Sequence, residues 1–105
     1  MRYLMLVCVD EDMERDADPL PWISEVEGRG IRRTGSRLQP VADATTVRVR
    51  DGEVLIADGP FAETKEQIGG FDVLDCRDLD EAIEVASKHP AATFGTLEIL
   101  PFWQG

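Results

Sequence analysis

The chain has 105 residues, with 21 acidic residues against 11 basic ones and a formal net charge of −10. That balance disfavours nucleic acid and anionic membrane surfaces as partners, because both need a cationic patch, and the only local candidate is Arg29, Arg32, Arg33 and Arg37. Hydrophobic residues at 43% and charged residues at 30% are ordinary for a folded chain, and the length predicts one domain, 1–105, with a real core.

Residues 2–9 are apolar at both alternating sets of positions, which predicts a strand covered on both faces. The run is far too short to span a bilayer and no cleavage pattern follows it, so a cytoplasmic location is expected. Six acids fill the nine positions 10–18. A calcium loop starting at Asp10 would need glycine at 15 and glutamate at 21, where the chain has Arg15 and Pro21. The run therefore reads as a solvated loop. No zinc pattern occurs, and no metal or cofactor is expected. Asp18-Pro19 predicts a helix start, Trp22, Ile23 and Val26 lie at helical spacing, and Gly28 and Gly30 end the helix. Residues 31–38 predict a second strand, with Gly35 marking a bulge or a close approach.

Asp51-Gly52 between alternating apolar residues predicts a two-residue type I′ hairpin over 45–57. That register sets Val49 opposite Val54 and Val47 opposite Ile56 on an apolar face. Arg48 faces Leu55 and Arg50 faces Glu53 on the other. Segment 58–69 leads to a short strand at 70–76. Asp78, with Glu81 three residues later, predicts a capped helix over 78–88 whose buried stripe is Leu79, Ala82, Ile83 and Ala86. His89-Pro90 stops it, and a last strand spans about 94–100. Cys8 and Cys76 fall in apolar strand-like segments and read as buried thiols.

With the hairpin taken as an insertion, the order is βαβ–βαβ. This predicts an α+β fold: a ferredoxin-like split βαβ sandwich with both helices on one face. The first strand is apolar on both faces, so a second copy is expected to cover the other, giving a homodimer.

Segment 58–71, from Asp58-Gly59-Pro60-Phe61 through Glu63-Thr64-Lys65-Glu66 to Gly69-Gly70-Phe71, holds more charge than a turn needs. Asp58-Gly59-Pro60-Phe61 resembles the signature of the DGPF-domain branch of the YCII-related family. The resemblance extends to the Arg50-Asp51-Gly52 hairpin, Glu81-Ala82, Pro90 and Gly95-Thr96-x-Glu98. It implies a dimeric α+β barrel. Some YCII-related proteins use a histidine–aspartate pair with the histidine early in the chain; here the single histidine is His89, so such a pair cannot be built in the same way.

Two readings follow. In the first, a cofactor-free enzyme moves a proton on, or eliminates from, a small cyclic anion, by analogy with the fold of muconolactone isomerases and related dehydrochlorinases. Asp58, held by the Gly59-Pro60 turn and desolvated by Phe61, is the base. Lys65 is the electrostatic partner, oriented by Glu63 and Glu66, and Arg33 with Arg37 forms an anion site beside Gly35 that Trp22 could line. In the second, the domain senses a ligand or binds a protein, and the resemblance implies an extracytoplasmic-function sigma-factor-type partner. Structural readings stand beside each assignment: Phe61 as a core anchor, Trp22 as a core or interface residue, and His89 as a cation at a helix C-terminus. Asp58, Lys65 and Arg33 gathered in one enclosed pocket would favour an enzyme or sensor; an exposed motif would favour a protein contact.

Overall fold

A computed structural model describes residues 1–12 and 17–104. Part of the acidic run at 10–18, including Arg15 of the rejected calcium loop, lies outside the described residues. The elements are β1 (Arg2–Val9), α1 (Leu20–Gly28), β2 (Arg32–Arg37), β3 (Thr45–Arg50), β4 (Glu53–Asp58), β5 (Gln67–Asp75), α2 (Leu79–Ser87) and β6 (Thr96–Pro101). Strands β2-β5-β1-β6 form one antiparallel sheet in that order, and β3 and β4 form a separate hairpin. The fold is α+β, and its strand order is compatible with a ferredoxin-like split βαβ.

Local rules account for the helix starts. At α1 the cap position falls on Pro19, one residue later than expected, and has no side-chain cap bond; the Asp18 carboxylate, just before it, accepts from the Leu20 N–H at 3.0 Å. At α2 the Asp78 carboxylate accepts from Glu81 N–H at 2.9 Å, and Glu81 reaches back to accept from Arg77 N–H at 3.0 Å. Glu81 also pairs with the Arg77 guanidinium at 2.7 Å, so a carboxylate is held buried at the helix start. This turns α2 relative to the predicted stripe. Ala82, Val85 and Ala86 face the core, while Leu79 and Ile83 are each 50% exposed.

The register places Tyr3, Met5 and Val7 of β1 on the face shared with Leu74 and Asp72 of β5 and Leu97 and Ile99 of β6. Trp22, Val26, Ala82, Val85 and Ala86 pack on that face and close the core. Leu4, Leu6 and Cys8 share the opposite face with Val73, Phe71, Ile68 and Leu100. Among the described residues, α1 and α2 pack on the first face and not on this one, whose side chains are half-buried or exposed.

The hairpin has the predicted register: Val47 opposite Ile56, Arg48 opposite Leu55, Val49 opposite Val54 and Arg50 opposite Glu53. Asp51 and Gly52 have φ of 53° and 76°, as a type I′ turn requires. Gly52→Val is therefore expected to cost about 1–3 kcal/mol of hairpin stability, since a β-branched residue resists positive φ. Faster amide exchange across Thr45–Asp58 would register it; exchange as slow as in the parent would refute the turn.

Candidate functional site

The motif begins where β4 ends. Gly59, at φ 97°, turns the chain, and its N–H bonds the Ala44 carbonyl at 2.7 Å. The Thr46 hydroxyl donates to the Gly59 carbonyl at 2.9 Å, so the turn is tied to the hairpin base from both sides. Pro60 then leads into a loop that runs to β5. The loop is braced from within: the Thr64 hydroxyl donates to the Glu66 carbonyl at 2.6 Å, and the Gln67 amide donates to the Ala62 and Thr64 carbonyls at 3.3 and 3.0 Å. The Glu66 carboxylate accepts from the Thr96 hydroxyl at 2.7 Å, which fastens the loop to β6.

Phe61 does not anchor this loop in the core. It is 77% exposed and lies 5.1 Å beneath the Arg48 guanidinium on the charged face of the hairpin. A short loop tied to the hairpin base carries its aromatic ring back over the hairpin, and a cation over the ring face is the attraction available there. Asp58 is exposed as well, so the expected desolvation by Phe61 is not met. Among the described residues, the carboxylates of Asp58 and Glu63 and the ammonium of Lys65 make no hydrogen bond or ion pair. Thr46, Val47, Arg48, Val49, Arg50 and Phe61 line an open concavity of about 580 Å³ beside the motif. Arg48 is thus the cation that meets the motif, and sequence reasoning missed it. Its place on the hairpin's charged face was the available signal.

The arginines of β2 separate. A bulge between Arg32 and Thr34 takes Arg33 out of register, so Arg33 and Arg37 do not share a face by simple alternation. Arg33 pairs with Asp75 at 3.3 Å. Asp75 is held below the usual carboxylate range chiefly by its hydrogen bond to Arg2. Asp75 ends β5 and the motif loop precedes its start, so Arg33 and Lys65 stand at opposite ends of a nine-residue strand. At about 3.3 Å per residue that is roughly 25 Å. Arg37, opposite Gly70, lies toward the motif end.

Gly35 does admit another backbone closely, that of Phe71 in β5, and the rest of the space beside it is filled by two side chains of this chain. A Cβ there would collide with the Asp72 carboxylate and come within 2.6 Å of both the Arg32 guanidinium and the Phe71 carbonyl. Arg32 and Asp72 are paired at 2.7 Å in that space, with side chains 12% and 7% exposed. Burial pushes the Asp72 carboxyl up, against the pull of Arg32.

Trp22 sits in the core, 5% exposed, with its indole N–H donating to the Val85 carbonyl at 3.0 Å. His89 packs edge-on against it at 4.7 Å between ring centroids. The His89 Nδ1 accepts from the Ala91 N–H at 3.0 Å, capping the turn Pro90–Thr93. The expected cation at a helix end is therefore a buried neutral ring, with the proton assigned to Nε2 from this bond. Burial lowers its pKa. The sign is fixed: a depressed histidine contributes stability that is whole above the ordinary value of 6.5 and is lost as pH falls through the folded value. The parent is expected to lose stability as pH falls below the ordinary value of 6.5, and His89→Asn should flatten that slope in urea titrations. Equal slopes would refute the assignment.

Among the described residues, no group of three or more histidine, cysteine or acidic side chains is placed to hold a metal ion. Nor is any helix among them long and apolar enough to cross a membrane.

Compared with known proteins, residues 1–104 match the family described as the YCII-related domain. An uncharacterised protein of Rhizobium meliloti (strain 1021) is 46% identical over 68 residues, which is 63% of this chain and 55% of that protein. The aligned stretch thus spans little more than half the length of this curated relative.

Proposed function

The chain belongs to the YCII-related family, and from that premise we propose that it is a non-catalytic binding module of the DGPF-domain branch, working as a homodimer. The observation that carries this reading is the exposure of the motif. Asp58, Phe61, Glu63 and Lys65 lie exposed on one braced loop. A loop whose backbone is tied at both ends, with an aromatic ring and charged side chains turned to solvent, suits recognition of another macromolecule. A base at work in a dry pocket would need the opposite surroundings. A sigma-factor-type protein is the partner we propose. The dimer is supported by the half-covered sheet, whose Leu4, Leu6, Phe71 and Val73 share the face opposite the helices and are only half-buried. Two such faces meeting would complete a dimeric α+β barrel.

A second reading has its own support. The concavity under Arg48 and beside Phe61 offers a cation and a ring to a small cyclic anion. If the partner subunit closed it, Asp58 could serve as base and Lys65 as clamp.

One pair of variants separates the readings. Asp58→Asn keeps size and turn hydrogen bonding but removes the charge and the ability to take a proton at neutral pH. Lys65→Met keeps the stem and removes the cation. Both are expected to fold like the parent and to bind a purified extracytoplasmic-function sigma factor at least about tenfold more weakly, by calorimetry. Thermal-shift screening against aromatic, lactone and dicarboxylate anions runs alongside. A hit that the parent turns over and Asp58→Asn does not would overturn the binding module in favour of the enzyme.

A further inference from the structure

We propose that the β3–β4 hairpin is a dimerisation arm, and that the apolar face formed by Val47, Val49, Val54 and Ile56 docks on a second copy of this chain. The proposal rests on the homodimer reading above and deepens it by naming a surface and what covers it.

These four side chains share one face of the hairpin by register. They are 60%, 58%, 62% and 68% exposed. Every residue of the two strands is exposed except Thr46, which is half-buried. An isolated two-stranded hairpin is marginal in water. β-Branched residues facing one another across it belong on a pleated surface that is at least half-covered. The side chains are thus arranged for a cover that the protomer does not supply.

The shape of the protomer points to what the cover is. The radius of gyration is 15.7 Å, whereas a compact chain of this length has about 13 Å. The extents are 47 × 40 × 18 Å, a slab as thin as one sheet and one helix layer. The hairpin therefore extends the slab sideways and does not fold back onto it. When two such slabs bring their uncovered sheet faces together, an arm reaching past its own sheet overhangs the other copy. The arm's apolar patch amounts to roughly a few hundred Å², the size of the largest patch on a typical monomer, and such patches are often functional. It would supply a substantial share of the roughly 800 Å² per partner of a standard interface.

A second copy is favoured over a foreign protein on two grounds. It carries the same arm and the same uncovered face, so one two-fold contact covers both at once. It is also present whenever the chain folds, while an occasional partner would leave the arm's apolar face in water between encounters.

Sedimentation velocity across a micromolar dilution series tests this with three variants. Ile56→Lys is expected to weaken self-association roughly a hundredfold, because it buries an unpaired ammonium. Leu55→Lys, on the hairpin's opposite face, is expected to leave it within about twofold of the parent. Leu6→Lys, on the uncovered sheet face, probes the homodimer reading separately. A parent dimer that Ile56→Lys leaves intact and Leu6→Lys disrupts overturns the arm and keeps the facing sheets. Equal weakening by Ile56→Lys and Leu55→Lys also overturns it, since the apolar face would then be no more important than its opposite. A monomeric parent overturns arm and homodimer together. If Ile56→Lys fails to fold, amide exchange in the parent decides. Hairpin amides should be better protected above the association midpoint than below it, and protection independent of concentration rejects the arm.

Discussion

Gly35→Ala is expected to destabilise the protein by about 3 kcal/mol, the scale of overpacking combined with a disturbed buried ion pair. The space beside Gly35 is full. A methyl group there meets the Asp72 carboxylate, the Arg32 guanidinium and the Phe71 carbonyl, the last two at 2.6 Å. The carbonyl cannot give way easily, because Phe71 lies in β5, which is paired on both sides, to β1 and β2. The guanidinium can move only by stretching its 2.7 Å bond to Asp72. Gly28→Ala is the matched control. A Cβ at Gly28 meets nothing within 4 Å, and it lies at the end of α1. That change should shift stability by less than about 1 kcal/mol, with alanine favoured by helix propensity. Urea denaturation of the two variants gives the comparison. Equal midpoints would mean that β2 and β5 relax apart freely, and the cradle would lose its meaning.

What was legible in the sequence follows from the range of each rule. The hairpin register and the Asp78 cap depend on residues within four positions of one another, and each formed as local chemistry dictates, whereas the α1 cap fell on Pro19 and not on Asp18. The βαβ–βαβ order set the α+β class, because alternating patterns constrain which elements can share a sheet. Misreadings began where a long-range neighbour decided the matter. Gly35 reads as room for a ligand or another backbone, and β5 supplies the backbone, at the Phe71 carbonyl, together with Asp72, which pairs with Arg32 there. Arg33 and Arg37 were paired by alternation, and one bulge residue broke the count. Helical spacing groups Leu79 and Ile83 with Ala82 and Ala86, although only the two alanines are buried, and Glu81, buried between Arg77 and Arg29, sets how α2 is turned. Phe61 reads as a core anchor from its place just after the Gly59-Pro60 turn, and Arg48 of the hairpin takes it instead. His89 was read from its place at a helix end, when Trp22 of the other helix had already enclosed it.

The buried pair behind Gly35 supports a second large effect. Arg32→Met is expected to cost about 3–5 kcal/mol at neutral pH, because it strands a charged Asp72 that is 5% exposed. Arg2→Met, which breaks the pair of Arg2 and Asp75, is the contrast: their side chains are 48% and 32% exposed and solvent screens them. The pH dependence identifies the cause. Asp72 is already raised from its ordinary value of 3.8 by burial, and Arg32 is what opposes that rise. Without Arg32 the folded-state value climbs further. A carboxyl raised in the folded state stabilises it below the ordinary value, and that contribution is lost as pH rises through the folded value. The deficit of Arg32→Met should therefore shrink as pH falls toward that range. Glu27 also loses a partner, at 3.5 Å, but its side chain is 54% exposed and water replaces the contact. Arg32→Met/Asp72→Leu removes both charges and should return most of the lost stability, since no buried ion is left without its counterion. A double variant as unstable as Arg32→Met at every pH would show that the loss comes from packing around the arginine stem, and that the charge on Asp72 is not what makes the pair necessary.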